Sequence, residues 1–275
     1  MPFKTILVHV DDSAPAATRI ALAATLALRH DAHLIGVAMT GVSRYFYQDA
    51  NADLARTVLA VHMDALFHKA ERALDQFVRV ARGAGLASCE QRLIDDEAGA
   101  GLALAARYAD LLVIGQSDPG AAAAPGGGEL AGWLLAACPR PLLVVPYVQS
   151  EVGVGRRVLV AWNGSAEALR ALTAALPVLR AADSVTLARF AEPGAALADE
   201  PELAAWLGRH GVQARVVDQA TDVDVGDALI SLAADLGADL LVMGAYGHTA
   251  WRELVLGGVT RTVLRTMTVP VLMAH

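Results

Sequence analysis

Two rhythms of hydrophobic residues run through the chain. Short β-branched runs, such as Thr5-Ile6-Leu7-Val8-His9-Val10 and Val158-Leu159-Val160-Ala161, alternate with longer Ala/Leu-rich stretches. The short runs lack polar alternation, as expected of strands buried on both faces of a parallel sheet. In the first half the pattern predicts strands over residues 5–10, 32–39, 88–93, 111–114 and 142–145. Helices fall over 15–29, 64–82 and 101–108, with a closing apolar helix around 130–138. In the second half strands are predicted over 158–161, 184–190, 213–217, 240–243 and 271–274, and helices over 166–180, 201–208, 227–236 and 261–267. Ser13 and Ser165 stand where an N-cap belongs. Strand–helix alternation of this kind implies an α/β fold with helices on both faces of the sheet. Ligands in such sheets bind beyond the carboxyl ends of the strands.

The pattern is also repeated. Ile6-Leu7-Val8-His9-Val10-Asp11-Asp12-Ser13 resembles Val158-Leu159-Val160-Ala161-Trp162-Asn163-Gly164-Ser165, 152 residues later. The same offset carries Asp31-Ala32-His33-Leu34-Ile35 onto Asp183-Ser184-Val185-Thr186-Leu187. Ala109-Asp110-Leu111-Leu112-Val113-Ile114-Gly115 matches Ala238-Asp239-Leu240-Leu241-Val242-Met243-Gly244 at an offset of 129, as Pro141-Leu142-Leu143-Val144 matches Pro270-Val271-Leu272-Met273. The two offsets differ by 23 residues of extra length in the first half, expected within 43–70, where Tyr45-Phe46-Tyr47 leads into a helix-like stretch. Two copies of one five-stranded unit are expected, over residues 1–147 and 156–275, joined by a linker around 148–155 with Gly153 and Gly155.

Composition narrows the partners. Apolar residues make up 55% of the 275, and the net charge is −7, with only two lysines, Lys4 and Lys69. A chain of that sign lacks the phosphate-neutralising surface a nucleic acid requires. Aromatics at 5% leave little for stacking bases. No apolar run reaches the roughly 18 residues of a membrane span; the longest, around 20–28 and 130–138, read as buried helix. The start of the chain has no leader pattern, so a cytoplasmic location is expected. Cys89 and Cys138 are too few for a disulfide scaffold or zinc site and read as small core residues.

The chemistry-bearing pattern follows the fourth strand of the second half. It reads Gly244-Ala245-Tyr246-Gly247, nine residues, then Gly257-Gly258-Val259-Thr260 and a helical run with Arg261. Gly244 and Gly247 let a turn approach a ligand without side-chain obstruction. Gly257-Gly258 opens a helix, whose unpaired N–H groups and positive dipole end suit a phosphate chain. The bland alternative is a strand–turn–helix connection that uses glycine for geometry alone.

The spacing Gly-x2-Gly-x9-Gly-Gly before a Pro-Val-Leu strand, with the opening Ile-Leu-Val-x-Val-Asp-x-Ser, resembles the universal stress protein family. The resemblance covers essentially the whole chain, twice, as in a tandem member. It implies a Rossmann-like, adenine nucleotide alpha hydrolase-like unit and pairing through the last strand, here an intramolecular pseudo-dimer, compatible with further homodimerisation. In one branch it also implies ATP held by the glycine pattern. Carried over, Gly244, Gly247, Gly257, Gly258, Val259 and Thr260 would surround triphosphate and ribose, and the acidic nucleoside contact corresponds to Asp11 and Asn163. Gly258 replaces a preferred Ser or Thr, and Asn163 replaces a carboxylate. In the first half the offset of 129 sets Asp118 over Gly247, Glu129 over Gly258, Ala131 over Thr260 and Gly132 over Arg261. A like charge about 4 Å from a phosphate costs on the order of 4 kcal/mol at surface-like dielectric. The first site is therefore expected to be degenerate despite Asp11.

Other residues carry less. His248 adjoins Gly247 within reach of a phosphate, although a lone loop histidine is more often simply exposed. Trp162 borders a base pocket or merely packs, and His9 reads as a core residue. Asp222, Asp224 and Asp227 offer Mg²⁺ ligands beside a nucleotide, but acidic residues before a helix are usually a solvated first turn. A phospho-receiver reading fails for want of a lysine after the fifth strand. No Gly-x-Gly-x-x-Gly follows either first strand, and no Walker pattern occurs. No catalytic set appears, so slow ATP hydrolysis is the most that is expected. The expected function is a stress-response protein binding ATP, ADP or AMP in its C-terminal unit, with an unidentified protein partner. The alternative is an interaction scaffold or small-ligand sensor with both nucleotide sites vestigial.

Overall fold

The computed structural model describes residues 2–42, 53–117, 130–190, 200–247 and 258–275, with only the backbone for 53–62 and 200. The first half runs β1 (Thr5–His9), α1 (Ala16–His30), β2 (His33–Met39), α2 (Asp53–Gly83), β3 (Cys89–Ile94), α3 (Ala98–Ala105), a 3-10 turn (Ala106–Tyr108), β4 (Leu111–Gly115), α4 (Leu130–Ala137) and β5 (Leu142–Val145). The second runs β6 (Arg157–Ala161), α5 (Ala166–Leu179), β7 (Ser184–Phe190), α6 (Glu200–Arg209), β8 (Arg215–Gln219), α7 (Val225–Asp235), β9 (Leu240–Gly244), α8 (Gly258–Thr266) and β10 (Val271–Ala274). These strands form one ten-stranded sheet in the order β3-β2-β1-β4-β5-β10-β9-β6-β7-β8. Every pairing is parallel except the central one, where β5 and β10 run antiparallel with Val144 opposite Val271 and Leu143 opposite Leu272. The two halves thus join along their last strands.

The apolar runs explain this arrangement. Strands such as β4 and β9 bury nearly every residue because helices cover both faces. One core layer holds Ile20 of α1, Phe77 of α2, Leu172 of α5 and Leu203 of α6. The other holds Leu102 of α3, Leu134 of α4, Leu229 of α7 and Val263 of α8. Gly36 in β2 is demanded by packing, since a Cβ there would lie 2.6 Å from the Phe77 ring. The repeated Ala-Asp before the fourth strand has a structural role in both halves. Asp110 accepts from the backbone N–H groups of Lys4 and Thr5 at 2.7 and 2.9 Å. Asp239 likewise accepts from Gly155, Arg156 and Arg157 at 3.0 Å.

Three expectations need correction. Thr5 pairs with His33 whereas Arg157 pairs with Ser184, so the second strands are related by 151 residues rather than 152. A one-residue slip would exchange every side chain between the two helix-covered faces, so packing on both faces sets the register. The helix expected over 64–82 extends back to Asp53, giving 31 residues in α2 against 10 in α6. Much of the inserted length is therefore helix, while Tyr45-Phe46-Tyr47 lies outside the described residues. Ser165 caps α5, its hydroxyl accepting from Ala168 N–H at 3.1 Å, but Ser13 caps nothing. The hydroxyl and N–H of Ser13 both donate to Asp11 Oδ1, and α1 starts two residues later, behind Pro15.

Candidate functional site

Strand order reverses direction between β6 and β9, where the connections leave toward opposite faces and open a crevice at the carboxyl ends. A cavity of about 420 Å³ occupies it. Ala161, Trp162, Asn163 and Ser165 line it from the end of β6, and Met243, Gly244, Tyr246 and Gly247 from the end of β9. The start of α8 contributes Gly258, Val259 and Thr260; Phe190, Val225 and Leu229 close an apolar end. All seven described residues of the sequence-derived set, Trp162, Asn163, Gly244, Gly247, Gly258, Val259 and Thr260, thus meet at one cavity. His248 and Gly257 lie outside the described residues.

The glycines divide into two kinds. A Cβ on Gly244 would lie 2.5 Å from Ala168 N, and one on Gly247 3.1 Å from Glu167 Oε2, so both are shaped by the first turn of α5. Gly258 is different: among the described residues a Cβ there would meet nothing within 4 Å, which leaves the α8 N-terminus open to them. Between them Tyr246 holds a left-handed φ of 59°, uncommon for a bulky residue. Its N–H faces Thr260 Oγ1 at 3.4 Å, and its ring packs edge-on against His275. Asn163 Oδ1 accepts from Ser165 N–H at 3.1 Å, which turns the amide NH₂ away from that bond. Trp162 is 6% exposed and packs as well as lines; its indole N–H has no hydrogen-bond partner among the described residues. Glu167, close to the turn, is ion-paired with Arg170 at 2.7 Å.

Asp224 caps α7, accepting from Gly226 N–H at 2.9 Å and Asp227 N–H at 3.3 Å, so its carboxylate is committed to the helix end. Among the described residues no group of three or more His, Cys, Asp or Glu is arranged to hold a metal ion. Cys89 and Cys138 are half-buried rather than core, and burial pushes the Cys138 thiol up.

The corresponding place in the first half, between β1 and β4, is filled by side chains. Arg19 is 2% exposed; its Nε donates to His9 O at 2.9 Å and its Nη2 lies 3.0 Å from Asp11 Oδ2. Arg19 Nη1 takes the space a side chain at Gly115 would need. His9 is half-buried, its Nδ1 3.6 Å from Asp11. Burial alone would raise the Asp11 carboxyl, but Arg19, His9 and the Ser13 hydrogen bonds outweigh it and hold the pKa at about 2. Ala171 stands where the repeat would place Arg19's counterpart. Asp118 and Glu129 lie outside the described residues, while Ala131 and Gly132 are buried in α4.

Two residues escaped the sequence reading. Arg19 carried a signal, a lone cation on the apolar face of α1. Gln116 carried none, since its partners are distant in sequence. Its Nε2 donates to Leu264 O and Arg265 O at 2.9 and 3.2 Å, and its Oε1 accepts from Tyr147 N–H at 3.2 Å. The first half therefore caps the C-terminal end of the helix whose N-terminus lines the cavity.

Residues 155–275 match the universal stress protein family. A universal stress protein of Synechocystis is 29% identical over 175 residues, covering 59% of this chain and 57% of the relative. One of Methanocaldococcus jannaschii is 37% identical over 46 residues, 17% of this chain and 28% of that protein. The chain thus spans little more than half the length of the first of these relatives and less of the second. A universal stress protein structure from Archaeoglobus fulgidus, 18% identical, superposes with a TM-score of 0.77 over 98% of this chain and 95% of its own. A functionally unknown protein of Pseudomonas aeruginosa, 16% identical, gives 0.58 over 99% and 92%. No described helix is long and apolar enough to cross a membrane. Residues 155–275 therefore carry a universal stress protein domain, and the N-terminal half repeats its fold.

Proposed function

We propose that the C-terminal half binds an adenine nucleotide, ATP or its di- or monophosphate, in the cavity between β6, β9 and α8, and that the protein acts in a cytoplasmic stress response through that occupancy. One observation carries the reading. The open N-terminus of α8 at Gly258 and the glycine turn after β9 face a single cavity that also has an apolar end at Phe190, Val225 and Leu229. Its volume falls within the usual range for small-molecule sites, roughly 300–1,000 Å³. The polar end suits phosphate, because free N–H groups and the helix dipole favour an anion there. The apolar end suits a flat base. Thr260, Val259 and Gly258 would hold the phosphates, with Trp162 and Asn163 toward the nucleoside. The Arg19–Asp11 pair in the first half supports a single site per chain, since a guanidinium occupies the equivalent crevice.

Calorimetric titration of nucleotide-stripped protein with ATP, ADP and AMP tests this. Binding at one site per chain is expected, with a rise in thermal midpoint. Gly258→Glu, which installs the residue that the repeat places there in the first half, should weaken ATP at least 100-fold while leaving the fold intact, since no described residue lies within 4 Å of a Cβ at Gly258. Absence of heat and thermal shift at millimolar nucleotide would return the protein to the scaffold reading.

A further inference from the structure

The helices on one face of the sheet are unequally dressed. That face carries the same helix pair twice, α3 with α4 and α7 with α8. The second pair is amphipathic, exposing Asp227, Ser231 and Asp235 on α7 and Arg261 and Arg265 on α8. The first pair, Ala-Gly-Ala-Gly-Leu-Ala-Leu-Ala and Leu-Ala-Gly-Trp-Leu-Leu-Ala-Ala, contains no ionisable side chain. With the N-cap residues Glu97 and Asp224 aligned, Ala100, Leu104 and Tyr108 stand where the second half has Asp227, Ser231 and Asp235. Gly132 and Ala136 likewise stand for Arg261 and Arg265. Helices apolar all round are normally buried. Here Leu104 is 42% exposed, Trp133 47% and Tyr108 90%. The Trp133 indole lies across Gly99, 3.0 Å from where a Cβ would be, so α3 and α4 present one continuous face.

We propose that this face is a homodimer interface, on which a second copy of the chain seats its own α3 and α4 about a two-fold axis. Charge selects the occupant. The chain carries −7, so copies repel elsewhere, whereas these two helices bring no charge into contact. The ends of α3 add complementarity: Glu97 is exposed at the N-cap and Arg107 is exposed just beyond the C-terminus. A two-fold axis lying in the contact plane and perpendicular to α3 runs the two α3 helices antiparallel, setting each Glu97 against the Arg107 of the other copy. Only an isologous contact repeats that match twice. Trp133, central and aromatic, is the expected anchor.

Sedimentation velocity on the full chain tests the interface without any nucleotide. A dimer that dissociates on dilution is expected, with Trp133→Glu weakening association about 30-fold or more. A second variant, Leu104→Ser with Tyr108→Asp and Ala136→Arg, carries residues that the second half accommodates at the same positions and should also be monomeric with an unchanged circular-dichroism melt. Glu97→Arg and Arg107→Glu should each weaken the dimer, and the double substitution should restore it. A wild type that stays monomeric at 100 µM (on the order of a weak-interface Kd) overturns the proposal and leaves the face to a partner of another sequence. A dimer indifferent to Trp133→Glu, or a charge reversal without restoration, overturns it as well.

Discussion

At the scale of single residues, the two halves diverge most at the end of their first strands. The repeat puts Asp11 and Asn163 at corresponding positions, yet one is locked in an ion pair with a buried arginine and the other lines an open cavity. The lock has a pH signature. His9 is held down to about 4, chiefly by burial, with Arg19 adding to it against the pull of Asp11. The unfolded chain protonates this histidine near 6.5 while the folded one keeps it neutral, so stability falls as pH drops from 6.5 toward 4. Asp11 acts lower still. Its depressed carboxyl contributes fully above 3.8, and the contribution is lost as pH falls toward 2. In urea denaturation, His9→Asn should therefore flatten the slope between pH 6.5 and 4, gaining up to about 3 kcal/mol at pH 4 relative to wild type. An unchanged slope would show that His9 titrates normally in the fold.

At the scale of elements, the same segment is built to different ends in the two halves. A one-residue change in connection length moves the second strand's register, and a delayed helix start frees Ser13 from capping while letting Arg19 reach the sheet edge. The α8 helix is tied at both ends, by the glycine turn at its start and by Gln116 at its finish. Gln116→Leu removes both donors and leaves Leu264 O and Arg265 O without them. A loss of about 1–3 kcal/mol is expected in chemical denaturation, and a change below 0.5 kcal/mol would mean water takes over the carbonyls. The alternation of strands and helices, their order and most boundaries were legible in the chain, because apolar periodicity and turn residues are local properties. The length of α2 was not, since a helix-compatible stretch does not announce whether it joins its neighbour.

At the scale of the molecule, the antiparallel contact of β5 with β10 makes one sheet of two repeats, with core layers that run across both halves. The protein should therefore unfold as a single cooperative unit. Leu143→Glu, a charge at a fully buried seam position opposite Leu272, should cost more than about 3 kcal/mol. Calorimetry would show one transition at lower temperature, and two resolved transitions in the wild type would contradict the shared core.

Local chemistry was readable from the residues in order: the duplicated five-stranded pattern, the closing strands of each copy, and the glycine spacing whose described members converge on one cavity. Those features depend on neighbours a few positions apart, where periodicity and backbone freedom act directly. The plug formed by Arg19, the Gln116 tie across the halves and the uncovered α3–α4 face depend on groups brought together from distant parts of the chain. Their meaning arises only when packing decides which side chains lose water and which keep it, and no spacing rule encodes that choice.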